Sequence, residues 1–111
     1  MKKKVVPSPE FIASFQELGA ILVERGYFSS LNYAKSFTRE LADYIKKNAA
    51  SSPKHPAPPI FNRYGNQLQY FLYNRSAQTT WYIFLEETED KFIIKHITNS
   101  QFSGQYFNQE N

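Results

Sequence analysis

The chemistry open to this chain rests on cations and aromatic rings. It has no cysteine, and His55 and His96 are its two histidines. Disulfides and thiol chemistry are therefore excluded, and no set of ligands stands at a metal-like spacing. The cations are unevenly spread. No acidic residue lies between Asp43 and Glu86, while Lys46, Lys47, Lys54, Arg63 and Arg75 fall there among many aromatics. Glu86, Glu87, Glu89 and Asp90 then gather in one turn. A net charge of +3 permits an anionic partner without implying one. A basic region interleaved with rings and set apart from an acidic turn suits a nucleic-acid or acidic-protein surface. Charged turns on an ordinary solvated surface give the same pattern.

The elements that must position these groups are organised around residues 67–98. Residues 68–73, 79–85 and 92–98 are short runs rich in aromatic and β-branched side chains, which fit a pleated surface and crowd a helix. Polar turns at 74–78 and 86–90 are short enough to make the three strands an antiparallel meander. Trp81, Ile83 and Leu85 alternate with Tyr82 and Phe84, and Phe92 and Ile94 with Ile93 and Ile97. One face then packs on helices and the other presents tyrosines and a few charges.

Residues 3–6 read as an added edge strand, ended by Pro7. Ser8-Pro9-Glu10 announces a helix: a side-chain cap, a residue suited to the first helical position and an acid at the positive end of the dipole. Phe11, Phe15, Leu18 and Leu22 give it one apolar face, and Gly26 closes it. Ser29 or Ser30 caps a second helix with Leu31, Ala34, Phe37, Leu41 and Tyr44 or Ile45 on one side, and Asn48 ends it. The two form a helical hairpin on one sheet face. Residues 49–59, with four of the six prolines, read as an extended connector. Asn62-Arg63-Tyr64-Gly65-Asn66 reads as a turn. Residues 99–111 form a polar tail whose Phe102, Tyr106 and Phe107 either dock on the sheet or join a site.

At 111 residues, 41% hydrophobic and 17% aromatic, the chain 1–111 reads as one α+β domain able to bury a single core. The start MKKKVVPSP has a basic end but no apolar run before Pro7 and Pro9, and no later run reaches the ~18 apolar residues of a membrane span. The expectation is a metal-free, cofactor-free cytoplasmic protein that does not enter a membrane.

The order strand, two helices, proline-rich connector, three-stranded meander and tail resembles the RelE/ParE superfamily of toxins. Locally, Val5-Val6-Pro7-Ser8-Pro9 opening into Phe11 and Phe15 resembles that family's first strand and helix start. Asn74-Arg75-Ser76 followed by Thr79-Thr80-Trp81-Tyr82-Ile83-Phe84 resembles its central arginine and tyrosine-rich strand. Phe92-Ile93-Ile94 to Ile97-Thr98-Asn99 resembles its last strand, and the TTWYIF and ITN pieces are similar to a plasmid-stabilisation subgroup. The resemblance implies a bacterial type II toxin held by a cognate antitoxin. It implies either an mRNA endoribonuclease working in the ribosomal A site or an inhibitor of DNA gyrase. A degenerate member kept as an interaction module is the remaining alternative.

RNA cleavage without a metal needs a proton acceptor for the 2′-OH, a cation on the scissile phosphate and an acid or second cation for the leaving oxygen. A stacking ring completes such a site. Arg75 matches the family's meander arginine and is the expected phosphate clamp. Lys95, His96 and Tyr106 complete the catalytic candidates, and Arg63, Tyr64, Lys54, Asn99 and Gln101 are candidate RNA contacts. Strict alternation sets His96 with Phe92 and Ile94, and Lys95 with Ile93 and Ile97, so both face one substrate only if a bulge intervenes. Asn99-Ser100-Gln101 stands where the family's nucleases carry arginine or histidine, and neutral amides bind phosphate or bases but shuttle no proton near neutral pH.

Overall fold

A serine stands before each long helix, and each does what its position predicts. The Ser8 hydroxyl accepts the Phe11 N–H at 3.0 Å to open α1 (Pro9–Glu24), and Ser30 accepts the Tyr33 N–H at 3.2 Å to open α2 (Leu31–Asn48). Gly26, just past α1, has φ of +83°, a left-handed conformation that only glycine adopts without strain. The computed structural model describes residues 3–26, 28–76 and 79–107. Its other elements are β1 (Lys4–Pro7), β2 (His55–Pro56), a 3-10 helix at Pro59–Tyr64, β3 (Gln69–Ser76), β4 (Thr79–Glu87), β5 (Lys91–Asn99), a one-turn α3 (Ser100–Ser103) and a 3-10 turn at Gly104–Tyr106.

The architecture is α+β. One five-stranded sheet runs in the order β1-β5-β4-β3-β2, with β1 parallel to β5 and every other pair antiparallel. Strand β4 is central: Ile83 pairs with Phe71 on one side and Ile97 on the other. The helices bury Phe11, Leu18, Leu22, Phe37, Leu41 and Ile45 against Phe71, Trp81, Ile83, Leu85, Phe92, Ile94 and Ile97. This is the main core, and truncating a fully enclosed ring such as Phe71 costs roughly 3–5 kcal/mol. Among the described residues no helix is long and apolar enough to cross a membrane.

The structure departs from the sequence expectation in places that bear on the site. Strand β3 continues to Ser76, so Arg75 belongs to a strand with an irregular register between Asn74 and Ser76; residues 77–78 of the turn expected at 74–78 lie outside the described residues. The connector is not free chain. His55 and Pro56 pair with Tyr70 and Gln69 as an outer strand, an edge position where a proline's missing donor costs no ladder bond. Residues 62–64 of the turn expected at 62–66 belong instead to the 3-10 helix, whose Phe61, 4% exposed, plugs into the sheet.

That plug forms a second, smaller core. Phe61, Leu68, Tyr82 and Phe84 are buried on the face away from the helices, with Tyr64, Tyr70, Leu72, Tyr106 and Phe107 packed around them. The tyrosine face is therefore roofed by the 3-10 helix and the tail.

The last departure is in β5. Phe84 pairs with His96 but Leu85 pairs with Ile94, so Lys95 is the extra residue of a β-bulge. Ile94 and Ile97 both face the helices. The His96 ring meets Phe61, Tyr64 and Phe84 on the other face, so the grouping of His96 with Phe92 and Ile94 is corrected: His96 belongs to the tyrosine face.

Candidate functional site

The bulge and the 3-10 helix together build a stack of side chains on that face. The Tyr64 ring lies on the His96 imidazole, centroids 3.8 Å apart and 9° from parallel. The Arg63 guanidinium sits 4.9 Å from the Tyr64 centroid and donates to the Tyr64 hydroxyl at 3.0 Å. Beneath, Phe84 and Phe61 close on the imidazole at 5.5 and 6.1 Å, and Tyr106 stands edge-on to Phe61 at 5.9 Å and 85°. Arg63, Tyr64 and His96 touch in that order above an apolar floor, with the guanidinium bonded at the Tyr64 hydroxyl.

The electrostatics follow from that order. Burial under Tyr64 penalises the imidazolium, and the nearby Arg63 charge penalises it further, so the His96 pKa falls from 6.5 to about 4. His96 is neutral at pH 7. It is able to accept a proton there, but weakly, and it gains strength from any anion that offsets Arg63. Burial also raises the Tyr70 and Tyr82 phenols, Tyr82 further through Tyr70. Both stay protonated, with a hydroxyl to donate.

Glu86 fixes the loop that holds the stack. Its carboxylate accepts the Asn66 N–H at 2.8 Å, one residue after Gly65. A Cβ on Gly65 would lie 3.0 Å from the Glu86 Cδ and 3.1 Å from the Leu68 Cδ1, so a side chain there would push the Glu86 carboxylate off its bond.

The other candidates lie elsewhere. Arg75 enters β3 beside the Asn74–Thr80 pair, whereas His96 faces Phe84. That is four β4 residues apart, roughly 13 Å along the sheet, and the Arg75 side chain lies outside the described residues. Asn99, fully buried, caps α3: its Oδ1 accepts the Gln101 and Phe102 N–H groups at 3.0 and 2.9 Å. Its Nδ2 has no partner, and the residue presents nothing to a ligand. Gln101 is exposed and donates to the Thr79 hydroxyl at 3.4 Å. Lys54 is on the helix side. It donates to the Ser52 carbonyl at 2.8 Å and lies 5.0 Å from the Phe92 ring centroid. Burial lowers its pKa, with Glu87 pulling the other way.

The structure thus brings together Arg63, Tyr64, His96 and Tyr106, with Lys95 next to His96 in the bulge, and separates them from Arg75, Asn99, Gln101 and Lys54. Sequence reasoning missed Phe61, the keystone of the roof. Its only signal was one large apolar side chain at the end of a proline-rich connector. Comparison with protein-family models, with curated proteins and with solved structures finds no match to this chain.

Proposed function

We propose that this chain is a toxin of the RelE/ParE kind, held by a cognate antitoxin, and that it cleaves ribosome-bound mRNA. The observation that carries the reading is the meeting, on the sheet face opposite the helices, of a guanidinium, a stacking tyrosine and a neutral imidazole. Support for the toxin layout comes from the first strand lying alongside the last, with the helical pair on one face and the basic, aromatic segments on the other.

In the proposed reaction Arg63 and Lys95 hold the scissile phosphate and Tyr64 stacks a base. His96 takes the 2′-OH proton as the incoming phosphate offsets the Arg63 charge. Tyr106 supports the stack, and Arg75 binds the chain further along. The 2′-oxygen attacks the phosphorus, the P–O5′ bond breaks to leave a 2′,3′-cyclic phosphate, and the proton taken by His96 returns to the leaving 5′-oxygen, so the protein supplies only proton transfer and charge. A second reading, binding of gyrase without catalysis, is favoured by one observation: His96 is shielded and its basicity is low.

The test is to incubate the protein and its Arg63→Ala, Arg75→Ala and His96→Phe variants with translating ribosomes and map new mRNA 5′ ends. Ends within the A-site codon that vanish with Arg63→Ala and His96→Phe support the ribonuclease. No new ends from folded protein would refute it, and DNA breaks on expression would then select the gyrase reading. Cleavage lost with Arg75→Ala alone would move the centre to the β3–β4 hairpin.

A further inference from the structure

Phe107 lies flat on Tyr82, ring centroids 3.7 Å apart and planes within 8°. Tyr70 closes one side edge-on to Phe107 at 5.0 Å and 75°, and Phe61 flanks it at 5.6 Å and 29°. The result is a three-walled slot one ring thick. Parallel rings this close have little lateral offset, and two benzenoid faces in that arrangement meet negative to negative, where offset or T-shaped pairs are preferred. The present occupant is held in the geometry that such rings favour least. An electron-poor heterocycle changes the sign of that interaction, and nucleobases stack on tyrosine whatever their sequence.

The occupant is also weakly tied. The Phe107 N–H bonds the Gly104 carbonyl at 3.0 Å inside its own turn. Among the described groups, no hydrogen bond links residues 104–107 to the sheet. Releasing the ring therefore gives up ring packing and its apolar burial, and no hydrogen bond to the sheet. The walls offer the Tyr70 and Tyr82 hydroxyls, which donate and accept for the edge of a base. The stack of Arg63, Tyr64 and His96 borders the same floor through Phe61 and Phe84.

We propose that the slot over Tyr82 is a binding site for an unpaired nucleobase and that Phe107 is its resident competitor, displaced when single-stranded RNA binds. This inference rests on the reading of the chain as an RNA-directed protein. A tethered occupant competes at high effective concentration, so removing it raises the apparent affinity for the strand.

The experiment is fluorescence anisotropy of a labelled oligouridylate with the full chain and its Phe107→Ala, Phe107→Trp and Phe107→Ala/Tyr82→Leu variants. Phe107→Ala should bind about tenfold tighter and Phe107→Trp more weakly, with the gain abolished by Tyr82→Leu. Opposite shifts at one position are not produced by mere loss of structure. Equal or weaker binding by Phe107→Ala overturns the proposal, as does a gain that survives Tyr82→Leu. The ribosome assay separates this from the functional reading. Tighter Phe107→Ala binding without new mRNA ends keeps the slot and removes cleavage, whereas new ends with unaltered affinities keep cleavage and remove the slot.

Discussion

The imidazole of His96 makes folding sensitive to acid, and the size of the effect follows from its surroundings. Its folded pKa is about 4 against an ordinary 6.5, because Tyr64 covers it and Arg63 stands by. The folded state refuses a proton that the unfolded chain accepts. The contribution is therefore complete above pH 6.5, falls as the pH drops, and is gone below about 4. At about 1.4 kcal/mol per pH unit the full window gives about 3 kcal/mol, and partial exposure of the ring discounts this to roughly 2. Urea unfolding at pH 7 and pH 4.5 measures it for the wild type and for His96→Phe, which keeps the packing and loses the titration. Carboxylates titrate in both proteins and cancel in the difference. Over this range, which stops short of the full window, the wild type should lose roughly 1.5 kcal/mol more than the variant. An imidazole whose NMR shifts titrate near 6.5, or equal acid sensitivity of the two proteins, would refute the argument that the stack desolvates His96.

Three further outcomes test the surrounding structure. Gly65→Ala should cost about 1–2 kcal/mol in urea unfolding, because the added methyl forces the Glu86 carboxylate off the Asn66 N–H. Combined with Glu86→Ala the losses should be less than additive, and additivity would remove the coupling. Asn99→Ala should cost about 1 kcal/mol and speed hydrogen exchange at the Gln101 and Phe102 amides, the two it caps; unchanged exchange there would show that α3 is held by packing alone. Lys54→Met should leave oligouridylate binding unchanged, since its ammonium lies over the helix-side rings of Phe92 and Phe71. A loss as large as that of Arg63→Ala would contradict this placement.

The local signals read well because they act over a few residues. Ser8-Pro9 and Ser30 start their helices as expected, and the alternation of residues 81–85 sorts Trp81, Ile83 and Leu85 from Tyr82 and Phe84. The site was less legible. Arg63 and Tyr64 stood in a stretch that reads as a turn, and their role depends on Phe61 reaching the sheet beneath Phe107. The side on which His96 falls depends on one unpaired residue, Lys95. An apolar run with a bulge has the same composition as one without it, so periodicity alone assigns the wrong face.

What the sequence determined by itself is the order of the first strand, the two long helices and the three-stranded meander, the helix starts, the apolar stripe of each helix and the two-sided character of the central strand. Each follows from backbone propensity, capping chemistry and period, all short-range. Only the tertiary structure decided that the first strand runs parallel beside the last, that the tyrosine face is roofed and that His96 belongs to it. Pairing register and the docking of Phe61 and Phe107 are set by burial between residues far apart in the chain. No window of sequence contains that information.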